Sequence, residues 1–583
     1  MIRIFKKLRK IDYLYIAISI LFIAGQVWLD LRMPDYMSEI TMLVQTPGNE
    51  MADVLLAGGK MLLCALGSLV SAVIVSVLCA RIATDFGADL RGGLYHKVLS
   101  FSKEEINSFS TASLITRTTN DVMQVQMLIV MGMQSLIKAL LMGAWAIVKI
   151  AGKNEQWMFS TAVAVLCLLA VVIVCISLML PKFRKVQKMT DDLNRVTREG
   201  LSGIRVIRAY NAESYQENKF DEANTALTNA HLFTGRVSAF VMPTIQLIMS
   251  GLSLSIYWIG AALINSASLM DKLPLFSDMI VFSQYAMQVV MAFMMLVMLF
   301  IMLPRAAVSA RRILEVFDTK VSVKDGEIST ERTSTEGEVV FNNVSFRYPD
   351  AEENVIENIS FTAKKGETVA FIGATGSGKS TLIDLIPRFY DVTEGEISVD
   401  GVNVKDYTLK ALRNKIGYVS QKATLFSGTV RSNVVFGDVG HDLEQNFIES
   451  VNTAQASDFV EKMDGGYDGV VAQGGTNLSG GQKQRLSIAR AICRRPEILI
   501  FDDSFSALDY KTDRKLREKL NEECADSTKL IVAQRIGTIR DADRIVVLDE
   551  GKAVGIGTHA ELMQSCEVYR NIAYSQLSKE ELA

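Results

Sequence analysis

Residues 368–386 read TVAFIGATGSGKSTLIDLI, and this stretch decides the fold of the C-terminal part of the chain. An apolar run leads into a glycine-rich loop, and an apolar, helix-like segment follows the loop. A strand, a loop of the pattern G-x-x-x-x-G-K-S and a helix form the context that a Walker A phosphate site requires. Glycines let backbone N–H groups converge on a phosphate at a helix N-terminus, and the lysine neutralises phosphate charge. The candidate phosphate-binding residues are Gly373, Ala374, Thr375, Gly376, Ser377, Gly378, Lys379, Ser380 and Thr381.

Two further motifs follow in the order that phosphate chemistry needs. Residues 497–502, EILIFD, have the pattern of a buried strand that ends in the carboxylate of Asp502. This Walker B aspartate and the hydroxyl of Ser380 are predicted to hold Mg²⁺ beside bound ATP. Between them lies an LSGGQ segment directly before an amphipathic helix, and its members are Leu478, Ser479, Gly480, Gly481 and Gln482.

With these motifs the sequence resembles the ATP-binding cassette (ABC) family over essentially its whole length. The resemblance implies a six-helix α transmembrane domain, of the type IV ABC exporter kind, fused to an α/β P-loop ATPase domain. It implies ATP and Mg²⁺ as cofactors, Tyr348 stacked on adenine, and Gln421 as the Q-loop residue that senses Mg²⁺. By the same resemblance, residues 506–509 form the D-loop, with Ser506 and Asp509 at its ends.

Two positions depart from the family pattern within the same site. The residue after the Walker B aspartate is normally a glutamate that polarises the attacking water, and here it is Asp503. Its carboxylate lies one methylene short, and a misplacement of about 1 Å can cost about a hundredfold in rate. The switch histidine is replaced by Gln534, which can hydrogen-bond a phosphate but cannot carry its proton. We therefore expect this ATP site to bind ATP and to hydrolyse it poorly.

The LSGGQ segment, in contrast, is intact. In the family two cassettes dock head to tail, so the signature of one chain closes the Walker site of the other. An intact signature beside a degenerate catalytic site favours a second, non-identical half-transporter as partner, with Glu and His at the matching positions. A homodimer would contain two poor sites and is the less favoured interpretation.

The first part of the chain has the composition of a membrane domain. Hydrophobic residues make up 49% of the sequence, and six apolar segments are long enough to cross ~30 Å of hydrocarbon. The first ten residues contain five Lys or Arg, which places the N-terminus in the cytoplasm, and an even number of spans returns the C-terminus there. We expect a multi-pass protein of the bacterial inner membrane, with a transmembrane domain over 1–318, a polar linker over 319–336 and the ATPase domain over 337–583. The predicted spans lie near 12–34, 58–80, 124–149, 157–180, 238–266 and 278–303.

The resemblance also places cytosolic coupling helices near 103–109 and 210–215, the second of which would grip the partner's cassette. For the transport cavity, Asp30 and Arg32 border the first span. Ionisable residues at membrane depth normally face a cavity or a partner, so Asp30 is a candidate contact for a cationic substrate; both side chains could equally extend to the outer interface. Five methionines recur at helical spacing in the last span, where helix packing or lipid contact is favoured over ligand binding. They are Met287, Met291, Met294, Met298 and Met302.

The resulting functional prediction is a subunit of an ATP-driven exporter that moves small amphiphilic molecules, drugs or lipids, out of the cytoplasm or inner leaflet. The lipid bilayer is its medium, and a net charge of −3 gives no argument for nucleic-acid binding. The alternative is an ATP-binding membrane sensor that moves a partner without transporting cargo. A soluble ABC ATPase is disfavoured because the spans and the cassette lie on one chain.

Overall fold

The computed structural model describes residues 2–46, 48–151, 153–268, 270–329, 336–437 and 443–576. It divides into two compact units, Met1–Lys97 with Ala112–Asp318 and Val98–Thr111 with Thr319–Ala583. Residues 330–335 of the predicted linker lie outside the described residues.

The first unit is built from long apolar helices. Within the described residues, six helices are long and apolar enough to cross a membrane. This number confirms the predicted six-helix transmembrane domain. The helices of this half of the chain are α1 (Ile2–Phe5), α2 (Lys10–Gln45), α3 (Met51–Leu99), α4 (Lys103–Ser108), α5 (Thr111–Thr116), α6 (Val122–Met131), α7 (Lys138–Ile150), α8 (Glu155–Ser202), α9 (Ile204–Ala209), α10 (Glu213–Ser266) and α11 (Lys272–Asp318).

The third membrane span is continuous from Thr111 to Ile150 but is not uniformly α-helical. Two π-helical segments, Arg117–Asp121 and Gly132–Ile137, separate α5, α6 and α7. The core of this unit includes Val27 of α2, Ala146 of α7 and Phe282 of α11, all buried. The same core also contains Cys79 of α3, Leu168 of α8 and Ile256 of α10, so all six spans contribute to it.

The two predicted coupling segments have different structures. The first contains the short helix α4, which begins with a capping box between Ser102 and Glu105 and belongs to the second unit. The predicted segment 210–215 is not a helix of its own. A short helix, α9, ends before it at Ala209, and α10 begins at Glu213. Asn211 has a φ of 50°, a left-handed conformation that interrupts a right-handed helix at this point.

The second unit is an α/β domain with a mostly parallel sheet. The six-stranded sheet has the order β12-β11-β3-β10-β9-β6, in which only β12 is antiparallel to its neighbour. A second sheet has the order β2-β1-β4-β5, and β7 pairs with β8. The strands are β1 (Val339–Phe346), β2 (Ile356–Ala363), β3 (Thr368–Gly373), β4 (Glu394–Val399), β5 (Val402–Asn403), β6 (Ile416–Val419), β7 (Gly428–Thr429), β8 (Val470–Val471), β9 (Ile498–Asp502), β10 (Thr528–Val532), β11 (Arg544–Asp549) and β12 (Lys552–Gly557).

Helices cover this sheet and confirm the predicted α/β class. Strands β9 and β10 are buried along their whole length. For β9 the apolar run Ile498–Phe501 is typical of a central strand of a parallel sheet. The helices are α12 (Lys379–Asp384), α13 (Leu409–Asn414), α14 (Val430–Val434), α15 (Leu443–Thr453), α16 (Ser457–Val460), α17 (Gly480–Cys493), α18 (Tyr510–Glu523), α19 (Ile536–Ile539), α20 (His559–Ser565) and α21 (Glu567–Gln576).

Candidate functional site

Four neighbouring parallel strands bring the predicted nucleotide residues to one edge of the sheet. Strand β3 ends at Gly373 and β9 ends at Asp502, while Gln534 and Gln421 follow two residues after β10 and β6. The carboxyl ends of parallel strands form the usual ligand edge of an open α/β sheet. Four motifs that are far apart in sequence therefore meet at this edge.

The glycine-rich loop has the backbone conformation that its glycines allow. Gly376 and Gly378 have φ values of +89° and +92°. A Cβ at Gly378 would lie 2.9 Å from the carbonyl oxygen of Val355, so a side chain there would be both strained and crowded. The loop therefore depends on glycine for its close backbone turn.

Lys379 is held inside this loop. Its Nζ donates to the carbonyl oxygens of Gly373 at 2.9 Å and Ala374 at 2.7 Å, and to Ser377 Oγ at 3.3 Å. Burial lowers the pKa of the Lys379 ammonium, and the nearby carboxylates of the Walker B segment oppose that shift. The positive charge is thus fixed at the loop that would surround phosphate.

The oxygen ligands for a divalent cation lie beside it. Ser380 Oγ donates to Asp502 Oδ1 at 2.8 Å. Asp502 is buried, and burial raises the pKa of its carboxyl while the Ser380 hydroxyl lowers it. A hydroxyl, a carboxylate and the amide oxygen of Gln421 are hard ligands of the kind that Mg²⁺ prefers. These residues therefore fit the Mg²⁺ that accompanies ATP.

The two residues that depart from the family pattern contact each other. Gln534 Nε2 donates to Asp503 Oδ2 at 3.0 Å. Asp503 has a φ of 46°, and its N–H donates to the carbonyl of Val532 at the end of β10 at 3.0 Å. Burial raises the pKa of the Asp503 carboxyl, whereas a hydrogen bond from Gln421 and the charge of Lys379 lower it. The carboxylate is therefore fixed by its neighbours.

The predicted adenine-stacking residue packs in an aromatic cluster. Tyr348 is half-buried, and its hydroxyl lies 3.0 Å from Thr381 Oγ1 on α12. Its ring meets Tyr390 edge-on, with ring centroids 5.3 Å apart at 85°. The edge-on contact with Tyr390 and the bond to Thr381 restrict the ring's orientation, as stacking on a base requires.

Helix α4 contacts the same part of the second unit, which sequence reasoning did not predict at residue level. Lys103 Nζ lies 2.6 Å from Asp384 Oδ2, at the C-terminal end of α12. Tyr418 donates its hydroxyl to Asp384 Oδ1 at 3.0 Å, and Asn107 Nδ2 donates to Tyr390 Oη at 3.1 Å. The spacing of Asp384 five residues after the Walker lysine was the available signal, but its partners are distant in sequence.

The signature segment forms a helix start. Ser479 is the N-cap of α17, and its backbone N–H donates to Gln482 Oε1 at 2.9 Å. Leu478 packs against the hydrophobic core of the unit, while Ser479 and Gly480 are exposed. Exposed N–H groups at a helix N-terminus are suited to bind phosphate from a second cassette.

The D-loop residues have structural contacts of their own. Ser506 Oγ donates to the carbonyl oxygen of Asp503 at 2.8 Å, and its own carbonyl accepts from Arg535 Nη2 at 3.2 Å. Asp509 is the N-cap of α18 and accepts from the N–H of Thr512. The D-loop is therefore tied to the segment that carries Gln534.

The candidate substrate residues of the first span are already paired. Asp30 Oδ2 lies 3.2 Å from Lys138 Nζ on α7, and Ser68 Oγ on α3 donates to Asp30. The Arg32 guanidinium lies 5.3 Å from the ring centre of Trp28. A cationic substrate would have to displace Lys138, so a substrate role for Asp30 stays a prediction. Two of the five methionines, Met291 and Met298, are exposed.

Comparisons with known proteins agree with this geometry. Residues 16–293 match the ABC transporter transmembrane region, and residues 356–506 match the ABC transporter family. An uncharacterized ABC transporter ATP-binding protein of Mycobacterium tuberculosis is 40% identical over 526 residues, covering 89% of this chain and 87% of that protein. The ATP-dependent lipid A-core flippase of Aromatoleum aromaticum is 33% identical over 504 residues, covering 86% and 82%. The fold resembles that of a bacterial Atm1-family ABC exporter with ATP bound, with a TM-score of 0.80, 23% identity, and coverage of 98% of this chain and 100% of that one.

Fold and site together define an ATP-driven membrane exporter, with a multi-pass domain and an ATPase domain on one chain. The chain belongs to the ABC transporter family. The predicted family, fold class and ATPase activity are thereby confirmed.

Proposed function

We propose that this chain is one half of a heterodimeric exporter in which its own Walker residues form a degenerate ATP site. The observation that carries the proposal is the hydrogen bond between Gln534 and Asp503. A catalytic carboxylate must be free to accept a proton from water, and a switch residue must be free to reach the γ-phosphate. Here Asp503 Oδ2 accepts a hydrogen bond from Gln534 Nε2, so the two side chains are directed at each other.

The chemistry of the two residues supports slow hydrolysis. Asp503 is one methylene shorter than glutamate, and its Oδ2 accepts from Gln534. Gln534 has no titratable proton to exchange with phosphate. ATP bound here would hold the cassettes together through many cycles.

The binding part of the site remains complete. Lys379 would neutralise phosphate charge, Ser380, Asp502 and Gln421 would hold Mg²⁺, and Tyr348 would stack on adenine. The phosphoryl transfer to water that drives transport would take place at the partner's site, and the MgATP at this chain's site would be retained. The residues of this chain would hold the bound nucleotide in one orientation.

The signature supports productive hydrolysis at the partner's site. Ser479 starts a regular helix, α17, of 14 residues, and the exposed Gly480 presents backbone to the outside. Donors aimed at the developing charge of the transferred phosphoryl group are a major source of catalysis. In this proposal Ser479 and Gly481 close the ATP site of the partner chain. That site would have Glu after its Walker B aspartate and His at its switch position.

Cargo and location follow from the membrane domain and its relatives. A relative that matches 86% of this chain is named as a lipid A-core flippase, which favours an amphiphilic substrate with an apolar body. The basic N-terminus and the even number of spans favour the bacterial inner membrane with both termini in the cytoplasm. Transport of cargo, rather than sensing, is tested by ATP-dependent efflux from reconstituted vesicles.

The degenerate site is tested with substitutions in this chain only. Each variant is purified together with the chains with which it assembles. Ser479→Arg should block the partner's site and reduce ATPase activity to a low level. Adding Asp503→Glu and Gln534→His to that variant should raise the activity about tenfold, because a misplaced carboxylate costs up to about a hundredfold. Each substitution added singly is the matched control and should give a smaller gain. An unchanged rate in the combined variant would show that these two positions do not limit turnover.

A further inference from the structure

The C-terminal helix α21 contacts the loop that carries Gln534. Its last residue, Gln576, donates Nε2–H to the carbonyl oxygen of Gln534 at 2.7 Å. The Oε1 of the same amide accepts the N–H of Ile536 at 2.9 Å. One side chain therefore satisfies a backbone acceptor and a backbone donor two residues apart.

This two-point contact needs an amide of this length. A carboxamide carries a donor and an acceptor on one planar group, whereas a carboxylate only accepts and an ammonium only donates. Ile536 is the first residue of α19, and its N–H is one of the donors that a helix start leaves without an intrahelical acceptor. Gln576 fixes both the carbonyl of the switch position and the start of the next helix.

The helix that supplies Gln576 is itself firmly held. Tyr569 and Ala573 of α21 are completely buried in the hydrophobic core of the second unit. The Tyr569 hydroxyl also lies 2.7 Å from His559 Nδ1 on α20. Because α21 is anchored in the core, Gln576 can hold the segment from Gln534 to Ile536, here called the switch loop, in one position.

Two contacts depend on the backbone that Gln576 holds. The side chain of Gln534 bonds Asp503, and the next residue, Arg535, donates to the carbonyl oxygen of Ser506 in the D-loop at 3.2 Å. A shift of the switch loop would change both contacts at once. The amide of Gln576 is thus connected to Asp503 and to the D-loop through one short segment.

We propose that Gln576 is a positioning residue for the switch loop and, through Arg535, for the D-loop, and that it thereby sets the rate of ATP hydrolysis by the assembled transporter. This inference rests on the proposed function in one respect, since the hydrolysing site of the assembly uses the D-loop of this chain. Gln576 does not touch nucleotide in this assignment.

The test compares Gln576→Met, which removes both bonds, with Gln576→Glu, which keeps only the acceptor. Gln564→Met, on the exposed face of α20, is the matched control. Steady-state ATPase activity of the full-length transporter, purified with its partner chains, is measured as kcat and KM for MgATP. Hydrogen exchange of the peptide containing Ile536 is measured on the same samples.

We expect Gln576→Met to lower kcat about tenfold, with KM within about twofold, because the loop that it releases would shift by a fraction of the ~1 Å that costs a hundredfold. Exchange at Ile536 should accelerate in Gln576→Met and stay slow in Gln576→Glu, which should have an intermediate kcat. The control should match the unaltered protein in every measurement.

Two results would overturn the inference. The first is a kcat within twofold of the unaltered value for Gln576→Met, whether or not exchange at Ile536 changes. The second is a fall in kcat accompanied by faster hydrogen exchange throughout the ATPase domain. That result would show that Gln576 stabilises the whole domain and does not specifically position the switch loop. Failure of the degenerate-site proposal is read separately, from the Asp503→Glu and Gln534→His variant, so the two can fail independently.

Discussion

Gln534 Nε2 lies 3.0 Å from Asp503 Oδ2, so the two residues that depart from the family pattern are bonded to each other. Each substitution alone would leave a partly functional site, with either a catalytic carboxylate or a switch histidine. Together they form a pair joined by one hydrogen bond. Catalysis by either side chain would require this hydrogen bond to break, in agreement with the proposal that the site hydrolyses ATP slowly.

The first prediction is an asymmetry between this chain's two contributions to hydrolysis. Asp503→Asn should change the ATPase rate of the transporter by less than about twofold, because the residue already contributes little as a base. Ser479→Ala should lower the rate by more than about tenfold, since it removes a donor aimed at the partner's γ-phosphate. The measurement is steady-state hydrolysis by the assembled complex. Equal losses in the two variants would contradict the assignment.

The second prediction concerns Tyr348. Tyr348→Ala should weaken ATP binding at this chain's site about tenfold, because stacking of a base on an aromatic ring is worth about 1–3 kcal/mol. Tyr348→Phe is the matched control, since it keeps the ring and removes only the contact with Thr381. Equilibrium binding of a fluorescent ATP analogue measures both. If the Phe variant binds as weakly as the Ala variant, the hydroxyl rather than the ring is decisive.

The third prediction concerns the contact between α4 and α12. Lys103→Met should destabilise the second unit by about 1–2 kcal/mol, a value reduced from that of a buried pair because the lysine is half-exposed. Asp384, with a side chain 5% exposed, would lose its ion pair and keep the hydrogen bond from Tyr418. Thermal unfolding measures the loss. Lys410→Met, at an exposed position of α13, should leave the unfolding temperature unchanged.

The fourth prediction is a pH dependence of the C-terminal helices. Burial lowers the pKa of His559 below its ordinary value of about 6.5. The unfolded chain therefore takes up a proton more readily than the folded one, and stability is full above about pH 6.5 and falls as pH decreases toward the folded pKa.

Hydrogen exchange of α21, corrected for its intrinsic rate, should accordingly be faster at about pH 5.5 than at about pH 8, on either side of the ordinary histidine pKa. His559→Asn keeps a polar atom near Tyr569 but cannot become charged, so the difference should shrink in that variant. An equal pH response in both proteins would show that another group is responsible.

Much of the fold could be predicted from the sequence because its signals are local. Six apolar runs indicate six spans, and the alternation of a strand, the glycine loop and α12 indicates the α/β class. The helices extend well beyond the apolar runs, as α10 does from Glu213 to Ser266. Hydropathy indicates only the part of each helix that crosses the lipid, so it could not predict where the helices begin and end.

The contacts between distant residues could not be predicted. Nothing in the sequence pairs Asp30 with Lys138, and the π-helical segment Gly132–Ile137 just before Lys138 has no clear pattern of its own. Gln576 lies 42 residues after Gln534 and has no motif around it. Such pairs depend on how whole elements pack, which periodicity along one chain does not encode.

The most direct test of the account is to purify the tagged protein from its native membrane after mild solubilisation and to identify what accompanies it, and in what ratio. We expect a second, non-identical half-transporter in a one-to-one ratio, with Glu after its Walker B aspartate and His at its switch position. A homodimer of this chain alone would contradict the account, because both of its ATP sites would then contain the bonded Asp503 and Gln534 pair.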